Sequence, residues 1–128
     1  MRYLSDEWIT AVARQLSADV AINALAPRHS VVITQLVTST PFGDVEYHFA
    51  CRDGVLSFGK GSVPCDVTFT QSYDTAVGVA TGKVNAAEAF INGLVRFNGD
   101  HQNVIDAQPL FAALDAVFAR VRETTEYR

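Results

Sequence analysis

"VEYHFACRDGVLSFGKG", residues 45–61, decides the fold. Val45, Tyr47, Phe49 and Cys51 alternate with Glu46, His48, Ala50 and Arg52, the period-two pattern of a strand with one dry face and one wet face. Arg52-Asp53-Gly54 is a strong hairpin signal, and Val55 to Lys60 reads as the returning strand. The same stretch comes close to a phosphate-binding loop. Gly54, Gly59 and Lys60 stand at the G-x-x-x-x-G-K spacing, but Gly61 replaces the Ser or Thr that would ligate magnesium. Such a loop joins a strand to a helix whose first N–H groups face the phosphates. Here Val55-Leu56-Ser57-Phe58 is itself strand-like, and Pro64 and then an extended pattern follow. The stretch therefore reads as a hairpin strand and its exit turn, with Lys60 a solvated edge residue.

Upstream, Ser30 to Ser39 is rich in Val, Ile and Thr and reads as a strand, closed by the turn Thr40 to Asp44. Downstream, after a second turn, Cys65 to Gln71 reads as a fourth strand. Val67 and Phe69 lie on one of its faces, Asp66, Thr68 and Thr70 on the other. Four hairpin-linked strands predict an antiparallel sheet whose apolar face must be covered. Helices supply the cover. Ser5 caps a first one carrying Trp8, Val12 and Leu16; a break near Ser17–Asp19 starts a second, ending near Pro27. Ser72 caps a helix from Tyr73 to about Thr81, stopped by Gly82. Asn85 and Glu88 have capping-box spacing for a short helix carrying Ala89, Phe90 and Ile91 and stopped by Gly93. Leu94 to Asn98 is a fifth strand, followed by a helical turn after Gly99-Asp100. The last helix starts near Pro109, with Leu110, Phe111, Leu114, Val117, Phe118 and Val121 as a wide apolar stripe. The polar tail 123–128 is expected to fray. The fold class is α+β: a five-stranded, mainly antiparallel sheet with helices over one face, one domain spanning residues 1–128.

Composition narrows the function. The 128 residues carry a net charge of −4 and 48% hydrophobic residues, a globular balance. The few cations are scattered, so the basic stripe of a nucleic-acid binder is missing. Met1 to Trp8 is too polar for a secretion signal. The longest stretch free of Asp, Glu, Lys and Arg, His29 to Gly43, contains Thr, Gln, Ser and Pro and cannot span a membrane. Cys51 and Cys65 are not a C-x-x-C pair, and they read as free thiols in a reducing cytoplasm; a disulfide would need adjacent strands.

No catalytic set emerges. Glu46 and His48 share a strand face with Arg52, which marks it as the wet face. His29 lies in a loop and His101 at a helix start. Cys51 has the opposite parity to His48 and reads as a buried, inert thiol. The carboxylates sit in turns and caps, and no metal-ligand spacing such as H-E-x-x-H occurs. Neither a metal nor a cofactor is expected. What remains is apolar surface, which makes either a plain core or, closed incompletely, a pocket for a small hydrophobic ligand.

The block "GKVNAAEAFINGLVRFNGD", Gly82 to Asp100, resembles the signature of the sterol-carrier-protein-type lipid-transfer family. The matching residues are Gly82-Lys83, Asn85, Ala89-Phe90, Gly93, Arg96 and Gly99-Asp100. Asp66-Val67-Thr68 and the Asp53-Gly54 hairpin are also similar to the family's pattern. Ile91 stands where the family commonly has Met, and Leu94 where it commonly has Lys. The likeness is clearest from Asp44 to Asp100, looser through the last helix, and a matter of layout alone in the first forty residues. The resemblance implies an apolar tunnel between sheet and helices that takes fatty acids, fatty acyl-CoA, sterols or phospholipids, without chemistry.

The expected function is thus non-catalytic carriage of a hydrophobic ligand by a monomer or homodimer, with no more than transient membrane contact. Val67, Phe69, Val79, Phe90, Ile91, Phe97, Leu110, Phe111, Leu114 and Phe118 are the candidate pocket wall, being large, apolar and on the inward faces just drawn. Two rivals stand beside it. A cavity-bearing α+β isomerase or hydrolase would need an ionisable group such as His101 or Asp100 over the pocket mouth. A non-binding interaction domain would instead cover its apolar patch with a partner.

Overall fold

Asp53 and Gly54 both take positive φ, +53° and +77°. That is the backbone of a tight two-residue hairpin, and it folds β2 (Gly43–Arg52) onto β3 (Val55–Lys60). This computed structural model describes residues 1–127, and within them every side chain but those at 86, 87, 90 and 101. β1 (Val31–Thr40) pairs antiparallel with β2, from Val31 opposite Cys51 to Val37 opposite Val45, then slips register at the turn, where Ser39 has φ +59°.

The expected run of consecutive hairpins ends at β3. β4 (Val67–Ser72) lies on the far side of β1 and runs parallel to it, Ile33 opposite Val67 and Thr38 opposite Ser72. β5 (Val95–Gly99) pairs antiparallel with β4, so the strand order is β3-β2-β1-β4-β5. The sheet is mixed, with β1–β4 its parallel pair. Residues 61–66 make the crossing from β3 to β4. Lys60 lies opposite Tyr47 and so level with Gln35, while Val67 lies level with Ile33. Rounding the sheet end would outrun seven residue steps of about 3.3 Å each. The segment therefore straps across the sheet face. The His48 ring meets the Gly61 carbonyl oxygen at 3.0 Å, which puts the strap on the face His48 occupies. Val32 and Thr34 lie on this outer face and are each only 3% exposed. Asp66 pins the far end: its N–H donates to the Val32 carbonyl at 2.9 Å, and its carboxylate accepts the Val32 N–H at 2.9 Å.

Helices cover the inner face. α1 (Asp6–Ala18) starts where the Ser5 hydroxyl accepts from the Trp8 N–H at 3.2 Å. Asp19 caps α2 (Val20–Leu25) through the Ile22 N–H at 2.8 Å and forms an ion pair with Arg120. A 3-10 turn, Ala26–Arg28, leads to β1. α3 (Tyr73–Ala80), α4 (Ala86–Ile91), α5 (His101–Asp106) and α6 (Gln108–Arg122) follow, and α6 packs against α1, α2, α3 and α5. The tail does not fray as expected. The Tyr3 N–H donates to the Glu126 carbonyl at 3.0 Å, and the Tyr127 ring lies 4.9 Å from that of Tyr3, so tertiary contacts hold what local sequence left loose. No helix of the described residues is long and apolar enough to cross a membrane.

Candidate ligand-binding site

Directly opposed residues in a sheet share a face, so the register places the inner-face side chains. They are Leu56, Phe58 and Lys60 on β3, Val45, Tyr47, Phe49 and Cys51 on β2, Val31, Ile33, Gln35 and Val37 on β1, Val67, Phe69 and Gln71 on β4, and Val95 and Phe97 on β5. The two halves of this face differ. Over β2 and β3 aromatic packing around Trp8 closes most of it, with Val45 and Leu56 half-buried beside that packing. Trp8 stacks on Phe118 at 5.9 Å with 10° between the planes, and meets Tyr47 and Phe58 edge-on at 5.6 and 5.9 Å. Such aromatic pairs add specific packing to a large burial of apolar area. Over β4 and β5 the cover is partial: Phe69, Gln71, Val95 and Phe97 are all half-buried, as is Gln35 beside them on β1. Phe69 and Phe97 pair at 5.5 Å. The Gln71 amide donates to the Gln35 side-chain oxygen at 3.2 Å.

The ten expected wall residues divide accordingly. Val67, Leu110 and Leu114 are buried in the core, and Phe69, Phe97, Phe111 and Phe118 are half-buried against it. Phe118 belongs to the aromatic half. Val79 is half-buried on α3, whose Tyr73 and Ala76 belong to the core and whose Val77 and Ala80 pack against it. Ile91 is 80% exposed, which corrects its expected inward placement. It is the last residue of a helix of one and a half turns, where the backbone turns away before β5. The side chains of Phe90 and His101 lie outside the described residues. Gln35, Gln71 and Val95 were not anticipated. The signal for the two amides was present: each has the parity of its strand's apolar face. Two surface recesses, one lined by Arg2, Phe42 and Lys60 and the other by Arg28, His29 and Asp53, include none of the ten.

The candidate nucleophile and base stand apart. Cys51 is fully buried on the inner face, its thiol donating to the Ala26 and His29 carbonyls at 3.3 and 3.4 Å. Burial pushes that thiol up from its ordinary pKa, which disfavours the reactive thiolate. His48 is on the outer face under the strap. β1 separates the strand of Cys51 from β4, and both cysteines are free. Burial likewise pushes the phenols of Tyr3 and Tyr47 well above their ordinary value. Among the described residues no group of three or more His, Cys, Asp and Glu is placed to hold a metal ion.

The sequence matches the SCP-2 sterol transfer family over residues 9–112. Among solved structures the fold is similar to that of a conserved hypothetical protein from Thermus thermophilus, with TM-score 0.75 and 18% identity over 94% of this chain and 90% of that one. It is similar to sterol carrier protein 2, with TM-score 0.70 and 17% identity over 95% and 98% of the two chains. It is also similar to Aedes aegypti sterol carrier protein-2 in complex with the C16 fatty acid palmitate, with TM-score 0.57 and 17% identity over 88% and 98%. No curated protein matches the sequence.

Proposed function

The chain belongs to the SCP-2 sterol transfer family, and from that premise we propose that it binds and carries a hydrophobic ligand without transforming it. The ligand class is a fatty acid, fatty acyl-CoA, sterol or phospholipid. The observation that carries this reading is the uneven cover of the inner sheet face. Aromatic side chains fill the space over β2 and β3, whereas Phe69, Val95 and Phe97 stay half-buried over β4 and β5. An apolar surface left partly open beside a closed core suits a lipid chain. Phe69, Phe97 and Phe111 would line it, Val67, Leu110 and Leu114 would floor it, and Val79 would flank it. Ile91 would sit at its exposed rim and Phe118 at its aromatic end. The palmitate in the Aedes aegypti relative's structure supports the ligand class. Free thiols suit a reducing cytoplasm.

Native mass spectrometry of the purified protein with lipid extraction tests the proposal. Co-purified lipid, or saturable uptake of a fluorescent fatty acid by the stripped protein, is expected. A clean ligand-free mass with no uptake would overturn it.

A further inference from the structure

We propose that the Gln35–Gln71 pair is the polar anchor of this site and that it favours lipids ending in an uncharged hydroxyl, a long-chain alcohol or a sterol, over carboxylates. The inference rests on the lipid-binding reading above. Gln35 stands between Tyr47 and Phe69 across the strands, and Gln71 between Val37 and Val95, so both amides occupy an otherwise apolar stretch of the inner face. Placing amides there is unfavourable unless their hydrogen-bonding groups find partners. One bond, Gln71 Nε2 to Gln35 Oε1 at 3.2 Å, joins them. It leaves both amide hydrogens of Gln35 and the side-chain oxygen of Gln71 without a partner among the described residues. Both side chains are half-buried, so these atoms remain within reach of a bound molecule.

The pair presents donors on one residue and an acceptor on the other. A hydroxyl, which accepts and donates, satisfies both. A carboxylate only accepts, and would bring its charge against the Gln71 oxygen. No basic residue has inner-face parity on β1, β4 or β5. Lys60 is the one basic residue of inner-face parity in the strands, and it is exposed at the β3 end, held by Asp6 at 3.1 Å. On α6, Arg120 pairs with Asp19 and Arg122 is exposed in the last turn. The buried positions of α3 and α6, such as Tyr73, Ala76, Leu110 and Leu114, carry no charge. A carboxylate taken from water to this surface loses hydration without gaining a counter-ion.

The full-length, delipidated protein is tested with radiolabelled hexadecanol, palmitate and 1-hexadecene at pH 8, each below its aggregation concentration. Hexadecanol is expected to bind about tenfold more tightly than palmitate, the worth of one or two net hydrogen bonds. Gln35→Leu and Gln71→Leu should each weaken hexadecanol about fivefold and leave hexadecene unchanged or tighter. The inference is overturned if wild-type protein prefers palmitate or treats the two alike, a result needing no variant. It is also overturned if both variants keep hexadecanol affinity, or lose alcohol and alkene equally. If palmitate binds and hexadecanol does not, the carrier reading survives and this inference fails. If none of the three binds, both fail.

Discussion

Gly99 passes against Asp66 with no room for a side chain. A β-carbon on Gly99 would meet the Asp66 carbonyl oxygen and come within 2.9 Å of the Val67 Cα, and Gly99 has φ +133°. Here β5 pairs with the start of β4, and the Asp100 N–H donates to the same carbonyl at 3.2 Å. Gly99→Ala must therefore distort both backbones, and we expect a loss of more than about 2 kcal/mol in urea unfolding. Gly93 has φ +77° but open space around it, so Gly93→Ala should lose only about 1 kcal/mol. Equal losses would mean that steric contact is not what makes Gly99 necessary.

Trp8 ties α1 to β2, β3 and α6 through Tyr47, Phe58 and Phe118. It is 3% exposed. Trp8→Ala is expected to cost about 3–5 kcal/mol in denaturant unfolding, the range for emptying a large aromatic site. Ile91→Ala, at an exposed helix end, should stay within about 0.5 kcal/mol of the parent.

Alkaline pH should destabilise the fold. Burial raises the Tyr47 phenol, and burial followed by the neighbouring phenols of Tyr47, Tyr127 and Tyr73 raises that of Tyr3. A group with a raised folded pKa binds its proton more tightly in the native state. Its stabilisation is complete below the unfolded phenol value of about 10 and declines as pH rises beyond it. Urea midpoints should fall above pH 10, and Tyr47→Phe should make that fall shallower. A midpoint that is flat to pH 11.5 would refute the burial argument.

The two thiols should differ in reactivity. Cys51 is fully buried with a raised pKa, whereas Cys65 is half-buried next to the Thr68 hydroxyl at 3.5 Å. Dithionitrobenzoate should label one thiol per native chain, lost in Cys65→Ser, and a second only after denaturation. Two equally fast thiols would contradict this packing.

Local features were readable in advance because their causes lie within a few residues. The Asp53-Gly54 hairpin and the caps at Ser5, Ser72, Asn85 and Asp100 form where turn and capping chemistry demand them. Strand parity also placed Val67 and Phe69 inward and Cys51 away from His48. The same parity carries the anomaly of Gln35 and Gln71, polar residues on the dry faces of their strands.

By itself, then, the sequence determined element order, the α+β class, the dry face of each strand and, through Gly82 to Asp100, the family resemblance. Only the tertiary structure decided that β4 joins β1 in parallel, that residues 61–66 strap the outer face over Thr34, and that the tail pairs with Tyr3. It also decided which half of the inner face is mostly closed by aromatic packing and which stays partly open, and that Gln35 meets Gln71 across strands 36 residues apart in sequence. The physical reason is range. Caps, turns and periodicity act over a few residues, whereas strand partners are chosen by burial and hydrogen bonding between segments whose approach no local pattern encodes.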